Sequence, residues 1–375
     1  MHYLDHAATT PVPQEVAQAM AGVLTNAFGN PSAQYTLGRQ AKALVEDSRA
    51  VTAKALGCKP EQICFTSCGT EGDNWAIHAA LHQNRRVGKH IVTTATEHSA
   101  VMQCVKQLEQ AGYPVTWLKP DANGRITAQQ AVDALREDTA LVSIMLVNNE
   151  TGVRYPVEEI AALLKGRPTL LHTDAVQGFM KVPFTAASLG ADYITVSAHK
   201  IGGPKGIGAL YIGGKAKNTK PMLYGGGQES GLRPGTEPTA QIAGFAKAIE
   251  LRLERLEEIQ RHMAACKTYA LERLQTIPGL RVIGAGDAPH ILSVSLPGYP
   301  SQNIVSELSE KEIYISAGSA CHRGKISHVL RAMGLDKKTA AGTVRVSFGP
   351  ETELSDIDAL YDALLAHKTT RFPML

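Results

Sequence analysis

The sequence predicts an α/β protein with a mostly parallel sheet covered by helices on both faces, followed by a smaller α+β domain. Short apolar runs alternate with amphipathic stretches from residue 62 to residue 212, which is typical of parallel sheets. After Pro278 short strands and helices follow a different pattern, and this change indicates the second unit. Hydrophobic residues make up 44% of the 375-residue chain, enough for a sizeable core.

Apolar periodicity and turn residues place the individual elements. In the first part, the predicted strands are 62–66, 90–94, 114–118, 139–147, 169–173, 192–197 and 207–212. The predicted helices there are 14–27, 36–56, 71–83, 98–111, 127–136, 156–165 and a long one over 238–275. After Pro278, strands are predicted near 291–296, 313–316 and 343–347, and helices near 302–310, 325–333 and 355–366. Ligands of parallel sheets bind beyond the carboxyl ends of the strands, so we expect the functional residues there.

Composition argues against several classes of function. The formal net charge of +3 is too balanced to indicate nucleic acid or anionic lipid as the main partner. No apolar run reaches the length of a membrane span, and the first ten residues lack the pattern of a signal peptide. Six scattered cysteines without CxxC pairs argue against a disulfide framework or a zinc site. We therefore expect no metal and a reducing, cytoplasmic location.

Two strand ends carry a lysine and an aspartate that would suit a pyridoxal phosphate site. Lys200 stands in a Gly/Pro turn after strand 192–197, and Asp174 ends the apolar run that begins at residue 169. Lysine forms Schiff bases when desolvation or neighbouring charge lowers its pKa. An acidic residue can pair with the protonated pyridine nitrogen of the cofactor. An isolated loop lysine is usually solvated, so this hypothesis depends on the rest of the chain.

The residues after strand 62–66 indicate a phosphate site. Gly69 and Thr70 at a helix start would offer free backbone N–H groups and a hydroxyl to a phosphate. The alternative is a capping box, with Thr70 as the cap and Asp73 three residues later. The two interpretations are compatible, because a phosphate can use N–H groups that the cap leaves free.

Three further residues have both a functional and a structural interpretation. His98 follows strand 90–94, where an imidazole could stack on an aromatic cofactor and move protons, although a lone histidine is more often structural. Asn149 could donate to a phenolate oxygen, although asparagine at a strand end is a common turn former. Arg345 could clamp a carboxylate through two parallel hydrogen bonds, or it could form an internal ion pair.

A candidate nucleophile lies in the C-terminal part. Cys321 follows small residues and precedes three basic residues, which are His322, Arg323 and Lys325. Nearby positive charge lowers the pKa of a thiol and favours the nucleophilic thiolate. The alternative, a buried inert cysteine, suits the surroundings of Cys104 or Cys266 better.

Together these segments resemble the cysteine desulfurases of the NifS/IscS type, within the class-V aminotransferases and the fold-type I pyridoxal-phosphate enzymes. The likeness covers nearly the whole chain, and its motifs stand in the same order. They are Tyr3-Leu4-Asp5-His6-Ala7-Ala8-Thr9-Thr10, Phe28-Gly29-Asn30-Pro31-Ser32, Thr70-Glu71, Thr96-Glu97-His98, Asn148-Asn149-Glu150, Asp174-Ala175-Val176-Gln177, Ser197-Ala198-His199-Lys200, Arg233-Pro234-Gly235-Thr236, Gly318-Ser319-Ala320-Cys321 and Arg345-Val346-Ser347. One such motif would be weak support, but ten in one order are not expected by chance.

The resemblance implies a reaction and the residues that perform it. L-cysteine would give up its sulfur to the thiolate of Cys321, leaving a persulfide there and releasing L-alanine. Lys200 would carry pyridoxal phosphate covalently, Asp174 would pair with its pyridine nitrogen, and His98 would stack on its ring. A nucleophile that delivers sulfur to another molecule is expected on a mobile loop.

The other contacts implied by the resemblance are to the cofactor and to the substrate carboxylate. On its phenolic-oxygen side, the cofactor would contact Gln177 and Asn149. Its phosphate would be held by Gly69, Thr70, Ser197 and His199, and by Thr236 from the neighbouring subunit of a homodimer. The substrate carboxylate would be bound by Arg345, with Asn30 nearby.

The chain departs from these relatives at three places. Cys68 and Gly69 stand where relatives commonly have glycine and alanine. The segment from His322 to His328 is slightly shorter than in IscS-like enzymes and more basic. The chain ends soon after its last predicted helix, whereas IscS-like proteins carry a longer tail that helps to dock an iron–sulfur scaffold. A thiolation enzyme is therefore as compatible with this chain as an iron–sulfur scaffold in the role of sulfur acceptor.

Three hypotheses about function remain open on the sequence alone. The first is a cysteine desulfurase, and the second is a related pyridoxal-phosphate enzyme such as a selenocysteine lyase or an aminotransferase. An aminotransferase would have no use for Cys321, but selenium and sulfur chemistry overlap. The third is a non-catalytic binding protein, which loss of Lys200 or Asp174 would mark, and both are present.

We expect three parts in the chain. Residues 1–13 would form an N-terminal segment that packs with the small domain, and residues 14–250 a large domain that binds the cofactor. Residues 251–375 would form the small C-terminal domain that carries the Cys321 loop. The expected partners are L-cysteine, a second copy of the chain and a sulfur-acceptor protein, with no nucleic acid and no membrane.

Overall fold

The computed structural model describes residues 1–284, 286–318 and 326–374. Its strands are β1 (His2–Tyr3), β2 (Ile63–Thr66), β3 (His90–Thr94), β4 (Val115–Leu118), β5 (Thr139–Ser143), β6 (Leu170–Asp174), β7 (Tyr193–Ser197), β8 (Gly208–Ile212), β9 (Arg281–Val282), β10 (Ile291–Ser295), β11 (Ile313–Tyr314), β12 (Ser316–Ala317) and β13 (Thr343–Ser347). Its helices are α1 (Gln14–Asn26), α2 (Thr36–Leu56), α3 (Gly69–Gln83), α4 (Ser99–Gln110), α5 (Ala128–Asp133), α6 (Val157–Leu163), α7 (Ala186–Leu189), α8 (Thr239–Glu254), α9 (Leu256–Leu274), α10 (Ser301–Glu310), α11 (His328–Ala332), α12 (Lys337–Ala341) and α13 (Leu354–Thr370).

The main sheet has seven strands in the order β2-β8-β7-β6-β5-β3-β4. Strand β8 is antiparallel to β2 and β7, and the other neighbouring pairs are parallel. The exception follows from the short connection between β7 and β8, because parallel neighbours need a long crossover. The predicted mostly parallel, seven-stranded α/β sheet is confirmed.

Apolar side chains cover both faces of the main sheet. Successive strand residues point to opposite faces, so Ile91 and Leu141 lie in a cluster with α3 and α4. Their neighbours Val92 and Val142 lie in another cluster, which includes residues of α2 and α8. Burial on both faces explains why these strands consist of continuous apolar runs.

The C-terminal part has its own sheet and core. Its antiparallel sheet has the order β12-β13-β10-β9, and its apolar cluster includes Ile259 of α9, Leu308 of α10 and Leu360 of α13. Strand β1 pairs in parallel with β11, and Asp5 bridges to Ser347 at the end of β13. The first residues of the chain therefore join the C-terminal part.

We propose residues 1–13, 14–250 and 251–375 as the three parts of the chain on the basis of this packing. Helix α8 contributes Phe245 and Ile249 to the core of the main sheet. Helix α9 contributes Met263 and Leu274 to the C-terminal core.

Several predicted elements were wrong in extent. The single helix over 238–275 is interrupted at Arg255, whose φ of −131° and ψ of 23° are not helical. Predicted strand 139–147 ends as a strand at Ser143, although its remaining residues are buried. Predicted strand 313–316 is two short strands, β11 and β12, that belong to different sheets. Strands β1 and β9 and helices α7 and α12 were not predicted.

Among the described helices, none has the length and apolar character needed to cross a membrane.

Candidate active site

The carboxyl ends of the central strands surround a cavity of about 310 Å³, a size within the usual range of small-molecule sites. The predicted site residues that line it are Gly69, Thr70, His98, Asn149, Asp174, Gln177, Ser197, His199, Lys200 and Arg345. Residues from five strand ends and from β13 of the small domain thus converge on one space. The strand ends at which the functional residues were expected thus surround a single cavity.

The Lys200 side chain is aimed at the N-terminal segment. A single 3-10 turn, Ala198–Lys200, follows β7 and places this lysine at the cavity wall. Its Nζ donates to the carbonyl oxygen of Ala7 at 2.7 Å and to that of Ala8 at 2.6 Å. The amine is thereby held beside the cavity, at the end of the strand that precedes it.

Asp174 is a buried carboxyl group at the end of β6. Its Oδ1 accepts a hydrogen bond from the backbone N–H of Val176 at 2.9 Å. Burial, with a contribution from Asp73, raises the pKa of Asp174 to about 7, and the nearby His98 ring opposes this rise. Ligand atoms of Asp73, His98 and Asp174 lie within 4.8 Å of one another. A cationic ring nitrogen placed here would favour the ionised form of Asp174.

Replacing Asp174 with asparagine is expected to stabilise the cofactor-free protein while weakening pyridoxal phosphate binding. The wild-type carboxyl has its pKa raised from 3.8 to about 7, so the fold loses stability as pH rises through that window. Asparagine has no proton to lose, so its advantage should grow from about pH 4 to above pH 7, by up to about 4 kcal/mol. Thermal melts at several pH values measure this, with the exposed Asp133→Asn as the control. A pH-independent difference would contradict the prediction.

The start of α3 offers a site for a phosphate. Cys68 is the N-cap residue and makes no side-chain capping bond, so the predicted capping box of Thr70 and Asp73 is wrong. A Cβ on Gly69 would lie 2.9 Å from Cγ2 of Val176, so a larger residue would crowd this turn. Helix N-termini present unpaired N–H groups and favour anions.

Ser197, the last residue of β7, and His199 line the cavity beside the start of α3. The Ser197 hydroxyl is buried, and no described residue hydrogen bonds to it. His199 Nδ1 lies 3.2 Å from Thr9 Oγ1, and burial, followed by the charge of Lys200, lowers the pKa of His199 to about 4. An unsatisfied buried hydroxyl indicates a missing partner, and a bound phosphate oxygen would supply one.

His98 has the structural role and also lines the cavity. It is the N-cap of α4, and its Nδ1 accepts a hydrogen bond from Ala100 N–H at 3.2 Å. Burial lowers its pKa, which favours a neutral ring with the proton on Nε2. Capping therefore fixes the orientation of a ring whose other nitrogen remains a donor.

Of the two asparagines after β5, Asn148 has a structural role and Asn149 lines the cavity. Asn148 forms the turn, because its Oδ1 accepts from the N–H groups of Glu150 and Thr151. Asn149 lines the cavity, and its carbonyl oxygen accepts a hydrogen bond from Arg345 Nη1 at 2.8 Å.

Arg345 forms the predicted internal ion pair and also lines the cavity. Its Nη2 lies 2.8 Å from Oδ1 of Asp5, which is the internal ion pair. Its Nε is buried without a partner among the described residues, and the side chain also lines the cavity. A carboxylate in the cavity would thus find a guanidinium that Asp5 already holds in place.

Two predicted site residues lie away from the cavity, and a third is not among the described residues. Thr236 and Asn30 are exposed and do not line it, and Asn30 Oδ1 accepts instead from Ser32 N–H at 2.9 Å. Cys321 lies outside the described residues. Ala317 and Gly318, which precede its segment, and His328, which follows it, line the cavity.

Sequence reasoning missed several groups at the site. Ala7 and Ala8 act through backbone carbonyls, which no side-chain pattern reveals. Glu150 lines the cavity with a pKa raised to about 7 by burial. His328 Nε2 lies 2.9 Å from the carbonyl oxygen of Glu97. The position of Glu150 in a strand-end motif was the available signal, whereas His328 offered none.

The residues present fit pyridoxal phosphate. The unsatisfied Ser197 hydroxyl and the uncapped start of α3 suit its phosphate. The buried Asp174 suits its pyridine nitrogen, and the Lys200 amine reaches the same cavity. The phosphate and the pyridine nitrogen of the cofactor would thereby be bound by residues at the ends of different strands.

The chain is similar to known proteins over nearly its whole length. Residues 2–360 match the Aminotransferase class-V family. The chain is 40% identical over 364 residues to the cysteine desulfurase IscS of Vibrio vulnificus (strain YJ016), covering 95% of this chain and 90% of that protein. A solved NifS-like protein superimposes with a TM-score of 0.92 at 35% identity, covering 98% of this chain and 99% of the other. A structure of SspA in complex with cysteine has a TM-score of 0.81 at 32% identity, covering 94% and 100%.

Proposed function

Because the chain belongs to the Aminotransferase class-V family, we propose that it is a cysteine desulfurase that takes sulfur from L-cysteine and releases L-alanine. The observation that carries this proposal is the convergence of Lys200, Asp174 and Arg345 on one cavity. The fold is that of the fold-type I enzymes that depend on pyridoxal phosphate, as the sequence predicted. When bound, this cofactor withdraws electrons from the substrate Cα, so that a proton leaves Cα and the Cβ–S bond weakens.

The residues around the cavity have separate tasks in this proposal. Lys200 would hold the cofactor covalently, and the carbonyl oxygens of Ala7 and Ala8 accept hydrogen bonds from its free amine. Asp174 supplies the negative charge opposite the pyridine nitrogen. The cofactor phosphate is assigned to Gly69, Thr70, Ser197 and His199, and its phenolic-oxygen side to Asn149 and Gln177. The neutral His98 ring lines the cavity, where it would stack on the cofactor and could exchange a proton through Nε2.

Cys321 is the proposed sulfur acceptor within the chain. Its thiolate attacks the substrate sulfur, and the Cβ–S bond breaks with its electron pair left on carbon. The carbon takes up a proton and leaves as alanine, while the sulfur stays on Cys321 as a persulfide. The lining of the cavity by Gly318 and His328, on either side of this segment, supports the assignment.

Replacing Arg345 with alanine is expected to raise the KM for cysteine far more than it lowers kcat. A charge-assisted clamp on the substrate carboxylate contributes on the order of 2–4 kcal/mol, so KM should rise roughly 30-fold or more. Arg345→Lys keeps the charge but loses the two parallel N–H donors of the guanidinium, so KM should rise by an intermediate amount. Steady-state kinetics decide this. An unchanged KM with a lowered melting temperature would assign Arg345 to the Asp5 ion pair alone.

We also propose Asn30 as a second contact of the substrate carboxylate.

We propose that the active form is a homodimer in which Thr236 completes the partner's phosphate site. Thr236 is exposed on its own chain, and the nearby Tyr224 is 90% exposed. If each site uses Lys200 of one chain and Thr236 of the other, mixing inactive Lys200→Ala with impaired Thr236→Ala restores one intact site per hybrid dimer. Activity should then recover to about a quarter of wild type after subunit exchange. No recovery in hybrids that form would contradict shared sites.

The persulfide requires an acceptor, which we propose to be an iron–sulfur scaffold or a thiolation enzyme. The five free cysteines of the described chain are compatible with a reducing cytoplasm, which we propose as the location. L-cysteine turnover, with and without candidate acceptors and with alanine and sulfide measured separately, tests the function. Absence of alanine would overturn it, and faster turnover of L-selenocysteine would favour a selenocysteine lyase.

A further inference from the structure

A buried lysine next to the cavity has no acidic partner among the described residues. Lys181 is 2% exposed, and no described carboxylate forms an ion pair with it. The charged or titratable groups that act on its amine are all basic, namely Lys200, Arg252 and Arg345. Its Nζ donates to Oε1 of Gln177 at 3.1 Å. Burying an amine in such surroundings is unfavourable, so its one side-chain hydrogen bond within the described part of the chain, to Gln177, indicates its role.

That contact belongs to a chain of hydrogen bonds that reaches Lys200. Gln177 Oε1 accepts from Lys181 and also lies 3.3 Å from His290 Nε2. On its other side, Gln177 Nε2 donates to the Ala7 carbonyl oxygen at 2.8 Å. The same carbonyl accepts from Lys200 Nζ. Because a carbonyl can only accept, the Gln177 amide has one orientation, with its oxygen toward Lys181 and its NH₂ group toward Ala7.

We propose that Lys181 is a positioning residue that holds the Gln177 amide with a donor N–H available to the bound cofactor. Gln177 lines the cavity, and its NH₂ group has a second N–H beyond the one given to Ala7. This inference rests on the proposed function, since it needs pyridoxal phosphate in the cavity. Burial, followed by the charge of Lys200, lowers the pKa of Lys181 well below its ordinary value. The amine keeps N–H groups to donate in either protonation state.

A double-mutant cycle on affinity for pyridoxal phosphate tests the inference. Lys181→Met keeps the volume and removes the donor, and Gln177→Ala removes the group it holds. Each should weaken cofactor binding by the cofactor-free protein on the order of fivefold to tenfold, measured by equilibrium dialysis. The double variant should bind no more weakly than Gln177→Ala. Lys267→Met is the matched control, because Lys267 is a half-buried lysine that donates to Ala288 O, away from Gln177.

Two results would overturn the positioning role. One is wild-type affinity in Lys181→Met, and the other is the full Lys181→Met loss repeated in the Gln177→Ala background. If Lys181→Met does not fold, Gln177→Glu supplies a second arm. Its carboxylate keeps an acceptor for the Lys181 amine but has no N–H to donate to Ala7 or to the cofactor, so cofactor affinity should fall. Wild-type cofactor affinity in Gln177→Glu would contradict the role of a Gln177 N–H in cofactor binding, and with it the positioning role of Lys181.

The same preparations separate this inference from the proposed function. Wild-type protein is assayed in parallel for alanine released from L-cysteine. Turnover in the wild type with an unaffected Lys181→Met contradicts the positioning role alone. Cofactor binding that follows the expected cycle without cysteine turnover contradicts the desulfurase proposal alone. A wild-type protein that binds no pyridoxal phosphate contradicts both.

Discussion

Replacing Lys200 with alanine is expected to abolish cysteine turnover while leaving the fold intact. The loss should be on the order of 10³-fold or more, because covalent attachment and proton transfer at this amine are both removed. Lys200 makes hydrogen bonds to Ala7 and Ala8 at the cavity wall, and no apolar core depends on its side chain. The variant should therefore melt near the wild-type temperature.

The lysine assignment can be read directly by mass spectrometry. Borohydride reduction of the wild type loaded with cofactor should leave a pyridoxyl group on the peptide that contains Lys200, and the variant should carry none. Lys205→Ala is the matched control, because Lys205 is an exposed lysine of the same turn. A reducible linkage that persists in Lys200→Ala, on Lys205 or Lys181, would contradict the assignment.

Changing Cys321 to serine is expected to separate substrate binding from sulfur removal. The residues assigned to the cofactor and to the substrate carboxylate are untouched, so the variant should still change the visible spectrum of the cofactor when cysteine is added. Alanine release should fall to background, a loss on the order of 10³-fold or more, because nothing accepts the sulfur. Stopped-flow spectra and an alanine assay measure the two halves separately.

The other thiols supply the controls for this experiment. Burial raises the pKa of Cys104 to about 12 and that of Cys58 to about 11, which suppresses the reactive thiolate in both. Cys68 lines the cavity, so Cys68→Ser is the matched variant. After brief exposure to cysteine, one extra sulfur is expected on the peptide that holds Cys321. Full activity in Cys321→Ser, or sulfur found only on the Cys68 peptide, would contradict the mechanism.

The sequence was sufficient for the sheet because the sheet obeys periodicity and connection length. The residues at its strand ends, from His98 to Lys200, could be grouped from the sequence because parallel strands bring their carboxyl ends to one edge of a sheet. The break between α8 and α9 at Arg255 carried no such signal, since both flanking stretches favour helix. The start of α3 after Cys68 could not be predicted either. Cys68 is an N-cap residue without a side-chain hydrogen bond, so no capping motif marks it in the sequence.

The parts of the site that sequence did not give are those made by backbone or by pairs distant in the chain. The acceptors of the Lys200 amine are main-chain carbonyls of Ala7 and Ala8, and any residue type could provide them. Arg345 was left between two roles because its partner Asp5 lies 340 positions away. Separation of that length is invisible to local patterns.

The pairing of β1 with β11, and of Asp5 with Ser347, has a consequence for the order in which the enzyme matures on the ribosome. Residues His2 to Asp5 pair with residues of β11 and β13, which are synthesised long after them. A nascent chain can complete the whole main sheet while Leu4, which is fully buried in the finished protein, is still exposed. The Asp5–Arg345 ion pair at the cavity can therefore form only after β13 has been synthesised.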